Sequence, residues 1–303
     1  MTILISVVIA TRNRPELLRE AIAAVLAQDS DHAIEVIVVA DQSPPDLSLV
    51  SSQDRRTVRV IANRKGPGLA GARNSGIGVS EGEFIAFCDD DDYWYPAKLR
   101  LQLAALVGVA DAGLSTCGIE VQHRGKSHPR TLGSTRVTFE DLLKNRITEL
   151  HPSTFLLRRD VLLDQIGLID ENVPGGFGED YDFLLRAAKV HPVINVTEPL
   201  VVVRWGSQSY FFRRWATMAD GLSWLLDHHP EFEGSNAGSA RIRGQIAFAH
   251  AAMGHRRAAL KWAAGAFQRN PREPRIALAL IVASRALTPD FIMDRLHRHG
   301  KGI

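Results

Sequence analysis

Apolar residues in this chain recur in two rhythms. The runs Ile3 to Ala10 and Ile34 to Ala40 are short, nearly continuous and rich in β-branched residues, as buried strands are. Between them, Pro15 to Ala27 carries apolar residues at helical spacing, with Ile22, Val25 and Leu26 on one face. The three segments predict a βαβ unit. Val58 to Ala62 then gives a third strand, Gly66 to Gly71 a glycine-rich loop, Ala70 to Val79 a helix and Phe84 to Cys88 a fourth strand. Strands alternating with helices predict a mostly parallel sheet covered on both faces.

Further along, Ala97 to Leu106 reads as a helix, and Leu114 to Val121 and Ser153 to Leu157 as strands. A polar, basic connection around His123 to Arg136 has the composition of a mobile loop. Val161 to Gly178 reads as a short helix and a loop rich in Gly and Pro, Tyr181 to Lys189 as a helix, and Val193 to Val203 as strands interrupted by Pro199. Beyond Ser209 the pattern changes to Ala-rich helices at Tyr210 to His228, Arg241 to Met253, Arg256 to Arg269 and Arg275 to Leu287, with stop signals at Gly234 to Gly238, Gly254 and Asn270-Pro271. Arg241 to Arg269 resembles one tetratricopeptide unit, with Ala258 and Phe267 near packing positions, but one unit is not an array. The division expected is a domain over residues 1–209 and a helical region over 210–303.

Composition adds three constraints. With 303 residues, 45% hydrophobic and 23% charged, the chain can build a sizeable core and an appendage. Its net charge of +2 conceals a division: residues 241–303 hold 12 Lys/Arg against 3 Asp/Glu, so the remainder carries a net −7. A solvated helix surface is the plain explanation of the basic tail. The functional readings are contact with anionic membrane or self-association, and nucleic acid is not expected. Only Cys88 and Cys117 are present, with Cys88 in a core strand, so a reducing compartment is expected. The first residues read as a strand rather than an export signal, and Ile276 to Ala283 is too short to span a bilayer. A cytoplasmic protein, peripheral to any membrane it meets, follows.

The chemistry concentrates where the fourth strand ends, in Asp89-Asp90-Asp91-Asp92. At about 5 Å and an effective dielectric near 20, each like-charge pair costs roughly 3 kcal/mol, so solvent or a cation must neutralise the cluster. If the strand geometry carries on, Asp89 and Asp91 face one side, Asp90 and Asp92 the other. Ligands of open α/β sheets bind beyond the carboxyl ends of the strands, where this tetrad falls.

Five segments stand in a familiar order: Ser6-Val7-Val8-Ile9-Ala10-Thr11-Arg12-Asn13-Arg14, Val38-Val39-Ala40-Asp41-Gln42-Ser43, Ala72-Arg73-Asn74-Ser75-Gly76, the tetrad, and Gly178-Glu179-Asp180-Tyr181-Asp182-Phe183 followed by Leu184-Leu185-Arg186. Over residues 3 to 210 the chain resembles the family 2 glycosyltransferases. The resemblance implies the GT-A fold, a Rossmann-like, mostly parallel α/β sheet flanked by helices, here with a C-terminal α-helical appendage. It also implies a nucleotide-diphosphate sugar donor and inversion at the sugar carbon. Asp41 is assigned to uracil, against its plain reading as a turn residue, and Ala10, Thr11 and Asn13 to the base and ribose wall. Arg73 contacts the donor phosphates, forms a salt bridge to the tetrad, or does each in a different ligand state. Asp89 and Asp91 match the Asp-X-Asp signature, with Asp91 on the metal and Asp89 on the ribose or a metal-bound water. Asp90 and Asp92 cap the helix or bind donor hydroxyls. Hard oxygen ligands suit Mn²⁺ or Mg²⁺.

Inversion needs a base opposite the leaving group, to take the proton of a carbohydrate, lipid-linked or small-molecule acceptor hydroxyl. Asp180 is the candidate, with Glu179 beside it in the catalytic motif; Glu179 and Asp182 are expected to raise its pKa. The plain reading is that Glu179 and Asp180 simply start a helix. Two departures stand out. Ala40 replaces the family's frequent second Asp, and Arg204-Trp205-Gly206-Ser207 lacks the His that often follows the last strand. Trp205 either stacks on a sugar or packs, and His151 is a candidate for the acceptor pocket. A catalytically silent nucleotide-sugar-binding scaffold is the alternative of another class. A nucleotidyltransferase would want a glycine-rich basic loop after the first strand, and Arg12-Asn13-Arg14-Pro15 has no glycine.

Overall fold

In the computed structural model, residues 3–123, 125–205 and 213–298 are described. In chain order the elements are β1 (Leu4–Thr11), α1 (Pro15–Leu26), β2 (Ala33–Ala40), β3 (Ser51–Gln53), β4 (Arg56–Ala62), α2 (Leu69–Val79), β5 (Phe84–Asp89), β6 (Tyr93–Trp94), α3 (Lys98–Val107), β7 (Leu114–His123), β8 (Lys126–Arg130), β9 (Arg136–Val137), α4 (Phe139–Lys144), β10 (Leu156–Arg158), the single turn α5 (Arg159–Val161), α6 (Glu179–Val190), β11 (Val193–Arg204), α7 (Trp215–His228), α8 (Asn236–Ala252), α9 (Arg256–Arg269), α10 (Pro274–Ala283) and α11 (Pro289–Arg298). Two compact units result. The first runs to Phe139 and includes Ile147–Glu171 and the segment from Glu179; the second takes Glu140–Arg146, Asn172–Gly178 and the C-terminal helices. The boundary expected at residue 209 lies outside the described residues, as do the first residues of the helix expected from Tyr210.

Unit 1 is built on one sheet of order β3-β4-β2-β1-β5-β10-β7-β11-β6, with β8 on β7 and β9 on β11. The pairs β4·β2, β2·β1, β1·β5 and β7·β11 are parallel, while β10 enters antiparallel between β5 and β7. The predicted mostly parallel sheet is present. β1, β2 and β5 are buried along nearly their whole length, which is why they read as unbroken apolar runs. Register then sets the site. Ala10 lies opposite both Val39 and Asp89, and Thr11 opposite Ala40, so the carboxyl ends of three adjacent strands finish side by side. The ladder continues one step further: Asp41 N–H donates to the Thr11 carbonyl, and Asn63 N–H to the Ala40 carbonyl, both at 2.9 Å.

Three expectations need correction. The connection around His123 to Arg136 is not loop throughout: Lys126–Arg130 pairs antiparallel with β7 as a hairpin strand. Its side chains are mostly exposed, so it carries no apolar alternation to read. Pro199 does not divide the last strand; β11 runs through as one element, absorbing the proline in register shifts on either side of it. In unit 2 the packing residues of the helical pair are Ala259, Ala263 and Ala266, while Phe267 is 55% exposed and Ala258 half-buried. Alanines let α8 and α9 approach closely, and Phe248, Ile276 and Ala279 fill the remaining core. α11 follows the last helix that the sequence predicted. Among the described residues no helix is long and apolar enough to cross a membrane. Cys88 and Cys117 are buried free thiols, and burial pushes the Cys117 thiol up to about 12.

Helix α2 lies tightly on the sheet because Gly76 has no side chain. A Cβ there would come 2.3 Å from Val8 Cγ1 and 3.2 Å from Val39 Cγ2. Gly76→Ala is expected to destabilise the protein by about 1–3 kcal/mol through overpacking, read as a lower urea or thermal midpoint; an unchanged midpoint contradicts this packing.

Candidate active site

β5 ends abruptly at Asp89 because Asp92 N–H donates to the Asp89 carbonyl at 3.1 Å, closing a turn. The expected division of Asp89 and Asp91 from Asp90 and Asp92 therefore does not occur, since alternation needs extended backbone. The turn sorts the tetrad differently. Asp90 and Asp91 both accept from Arg14 Nη1, at 3.0 and 2.7 Å, and Asp90 also accepts from Thr11 Oγ1 at 2.8 Å. Asp89 accepts from Arg73 Nη2 at 2.6 Å, and its N–H donates to Ser153 Oγ at 2.9 Å. Ser153 Oγ in turn donates to Asp92. Burial pushes the Asp90 and Asp91 carboxyls up and Asp92's well up; the charge of Asp89 adds to the rise at all three, while Thr11 and Arg14 oppose it at Asp90, Arg14 at Asp91 and Ser153 at Asp92.

The segment Ala72-Arg73-Asn74-Ser75-Gly76 gives each polar side chain a separate task. Arg73 is 3% exposed, and besides Asp89 its Nη1 donates to Glu179 Oε1 at 3.1 Å. Burial alone would disfavour its charge; Asp89 and then Glu179 more than restore it. The salt bridge from Arg73 to the tetrad, expected of one ligand state, is present. Asn74 donates to the Ile169 carbonyl and to Glu171, each at 2.8 Å, and accepts from Ile169 N–H at 3.0 Å. Ser75 donates to Asn63 Oδ1 at 2.7 Å. Asn63 Nδ2 then donates to Asp41 Oδ1 at 2.8 Å, while Gln42 and Gly68 N–H donate to Asp41 Oδ2 at 2.9 and 3.1 Å. Burial would raise the Asp41 carboxyl, but these three donors outweigh it and hold it below the usual range. The residues after β1 and β2, Asn13 (φ 55°) and Gln42 (φ 51°), are left-handed, and such strain gathers at functional sites.

Glu179 and Asp180 open α6, the acidic first turn that a helix dipole favours. Glu179 is 5% exposed, and burial first, then the charges of Asp180 and Asp89, push its carboxyl up to about 7 despite Arg73. Asp180 is half-buried, and its charge acts on Arg73, Asp89, Glu179 and His151. Asp182 is committed elsewhere, to Arg186 one turn on at 2.9 Å. Ala10 and Thr11 are buried at the end of β1 beside this group. Sequence reasoning did not assign Arg14, Ser153, Asn63 or Glu171. Arg14 alone left a signal, a cation just past the strand adjacent to the tetrad.

Asp89, Asp92 and His151 bring one ligand atom each to within 4.8 Å of one another. His151 Nδ1 lies 3.4 Å from Asp92 Oδ2, and its Nε2 3.9 Å from Asp89 Oδ2. Burial lowers the imidazole's pKa in spite of Asp89 and Asp180, favouring the neutral, metal-binding form. His151 thus sits among the carboxylates. The two carboxylates suit Mn²⁺ or Mg²⁺, whereas the imidazole is a softer ligand than Mg²⁺ prefers; Asp91 is held by Arg14. Trp205 is 40% exposed under the Arg130 guanidinium, 4.6 Å from its ring centre.

Residues 6–164 match the sequence profile described as Glycosyl transferase family 2. The chain belongs to glycosyltransferase family 2. The enzyme is 30% identical over 196 residues to the Bacillus subtilis (strain 168) uncharacterized glycosyltransferase YwdF, a match covering 63% of this chain and 70% of that one. It is 26% identical over 145 residues to the Escherichia coli UDP-Glc:alpha-D-GlcNAc-diphosphoundecaprenol beta-1,3-glucosyltransferase WfgD, covering 47% of this chain and 56% of WfgD. The match spans 14–16% of some longer Rickettsia relatives. Among solved structures, S. aureus TarS 1-349 in complex with UDP-GlcNAc superposes with a TM-score of 0.59 at 18% identity, covering 99% of this chain and 93% of that one. The fold of the glycosyltransferase is accordingly GT-A, with C-terminal helices.

Two expectations follow for stability. Glu179 has a raised pKa in the fold, so its contribution to stability is full below its ordinary 4.5 and is lost as pH rises to about 7. Glu179→Gln should remove about 3 kcal/mol from the fall in stability across that window, measured by urea unfolding at each pH; an identical pH profile contradicts the assignment. Arg73→Met should destabilise by about 3–5 kcal/mol at pH 8, where both its partners are ionised, and by less at pH 5.

Proposed function

We propose that the enzyme transfers a sugar, with inversion, from a UDP-sugar to an acceptor hydroxyl, using a divalent cation. The observation that carries this reading is the meeting of Asp41, Arg73, the aspartate tetrad and the Glu179-Asp180 pair at the carboxyl ends of β1, β2 and β5. Asp41 is an acceptor-only carboxylate, kept ionised by Asn63, Gln42 and Gly68. With three donors engaged, a lone pair remains for the imino N–H of uracil. Ala10, Thr11 and Asn13 complete the base and ribose wall, and Asp89 and Asp90 face ribose and donor hydroxyls.

Asp91, on exchanging Arg14 for the cation, and Asp89 would hold it, with His151 and Asp92 beside Asp89. Bound there with the donor, Mn²⁺ or Mg²⁺ would supply neutralisation of the departing nucleoside diphosphate. Arg14 balances Asp90 and Asp91, and Arg73 fixes Asp89 relative to Glu179. Asp180 takes the proton from the acceptor hydroxyl as its oxygen attacks the sugar carbon. Its place in the first turn of α6 makes the carboxylate rigid.

Of carbohydrate, lipid-linked and small-molecule acceptors, the diphosphoundecaprenol-linked acceptor named for the E. coli relative supports a lipid-linked one. Catalysis belongs to the region before residue 209, followed by an appended helical region. The two free cysteines support a cytoplasmic setting.

The test is release of UDP from UDP-sugars with Mn²⁺ present. Asp180→Asn should lower turnover about 10²–10⁴-fold with the fold intact, and Asp91→Ala should abolish the response to Mn²⁺. Full turnover by Asp180→Asn overturns its role as base.

A further inference from the structure

The outer face of α9 carries a pattern that catalysis does not use. Ala259, Ala263 and Ala266 bury the inner face, leaving Leu260 and Phe267 more than half exposed at 53% and 55%. At 100° per residue, the exposed residues Arg256, Phe267, Leu260, Ala264, Arg257 and Lys261 follow in that order across an arc of about 140°, with the uncharged Gln268 beside Lys261. Apolar side chains occupy the middle and cations both edges. No carboxylate lies on α8, α9 or α10, and the one between α9 and α10, Glu273, is buried and bonded to Arg275. Nothing acidic on these helices competes for Arg256, Arg257 or Lys261.

We propose that this face of α9 docks on an anionic lipid bilayer. The helix lies in the plane of the interface, with Leu260 and Phe267 in the acyl boundary and the three cations against headgroup phosphates. A second copy of the chain is the poorer occupant, because a two-fold contact through this face would set the same cations against each other. The inference is independent of the acceptor's identity.

Flotation of the full chain with vesicles rich in phosphatidylglycerol, and with pure phosphatidylcholine, tests it at low salt. Strong binding to the first and weak binding to the second is expected. R256Q/R257Q/K261Q should weaken binding on the order of 100-fold, and L260Q/F267Q about tenfold or more. All five side chains are exposed, and circular dichroism checks that each variant folds. R256K/R257K, which keeps the charge, should bind as the parent does. Equal binding by parent and both glutamine variants, or no binding by the parent, overturns the proposal. So does a fall in oligomeric mass of L260Q/F267Q by light scattering, which would make the face a contact between copies.

Discussion

Charge balance at the end of β5 is the constraint on which the rest of unit 1 depends. Asp89 to Asp92, Glu179 and Asp180 place six carboxyl groups near two guanidinium groups, Arg14 and Arg73, and one imidazole, His151. The protein manages the excess in three ways. A turn splits the tetrad so that no single cation must serve it all. Arg73, withdrawn from solvent, joins Asp89 to Glu179 where two charge-assisted bonds are strong. Burial holds Glu179, Asp90, Asp91 and Asp92 toward the protonated form. In the proposed reaction a divalent cation would relieve the same excess.

The backbone serves this balance. Parallel pairing aligns the ends of β1, β2 and β5, so Thr11, Asp41 and Asp89 begin from neighbouring positions. Helix α2 then spaces its polar groups along one short segment. Arg73 reaches the tetrad, Asn74 fixes the Ile169 to Glu171 stretch, and Ser75 steadies Asn63 against Asp41. Gly76 sets how near the helix comes, and hence how far Arg73 must extend.

Much of this was legible in the sequence. β1, β2 and β5 announce themselves because burial on both faces leaves no polar position to interrupt them. The motif order named the family, and the tetrad falls at the end of β5 with Arg73 reaching it from α2. Two kinds of information were hidden. Backbone closure was one: the bond from Asp92 N–H to Asp89 reorders four identical side chains that alternation alone would have paired differently. Distance along the chain was the other, since Glu179 lies 106 residues from Arg73, and His151 and Ser153 some 60 from Asp92. Periodicity likewise grouped the faces of α9 without saying which one is buried, and close alanine packing decided against Phe267.

The central proposal is that a divalent cation, shared between the tetrad and a donor diphosphate, would offset the tetrad's excess of carboxylate charge. Calorimetric titration of UDP into the protein, with Mn²⁺ and with a chelator, measures it most directly. Mn²⁺ should tighten UDP at least tenfold, about 1.4 kcal/mol, and Asp91→Ala should lose that gain while keeping the cation-free affinity. Equal affinity with Mn²⁺ and with chelator in the parent protein would contradict the account.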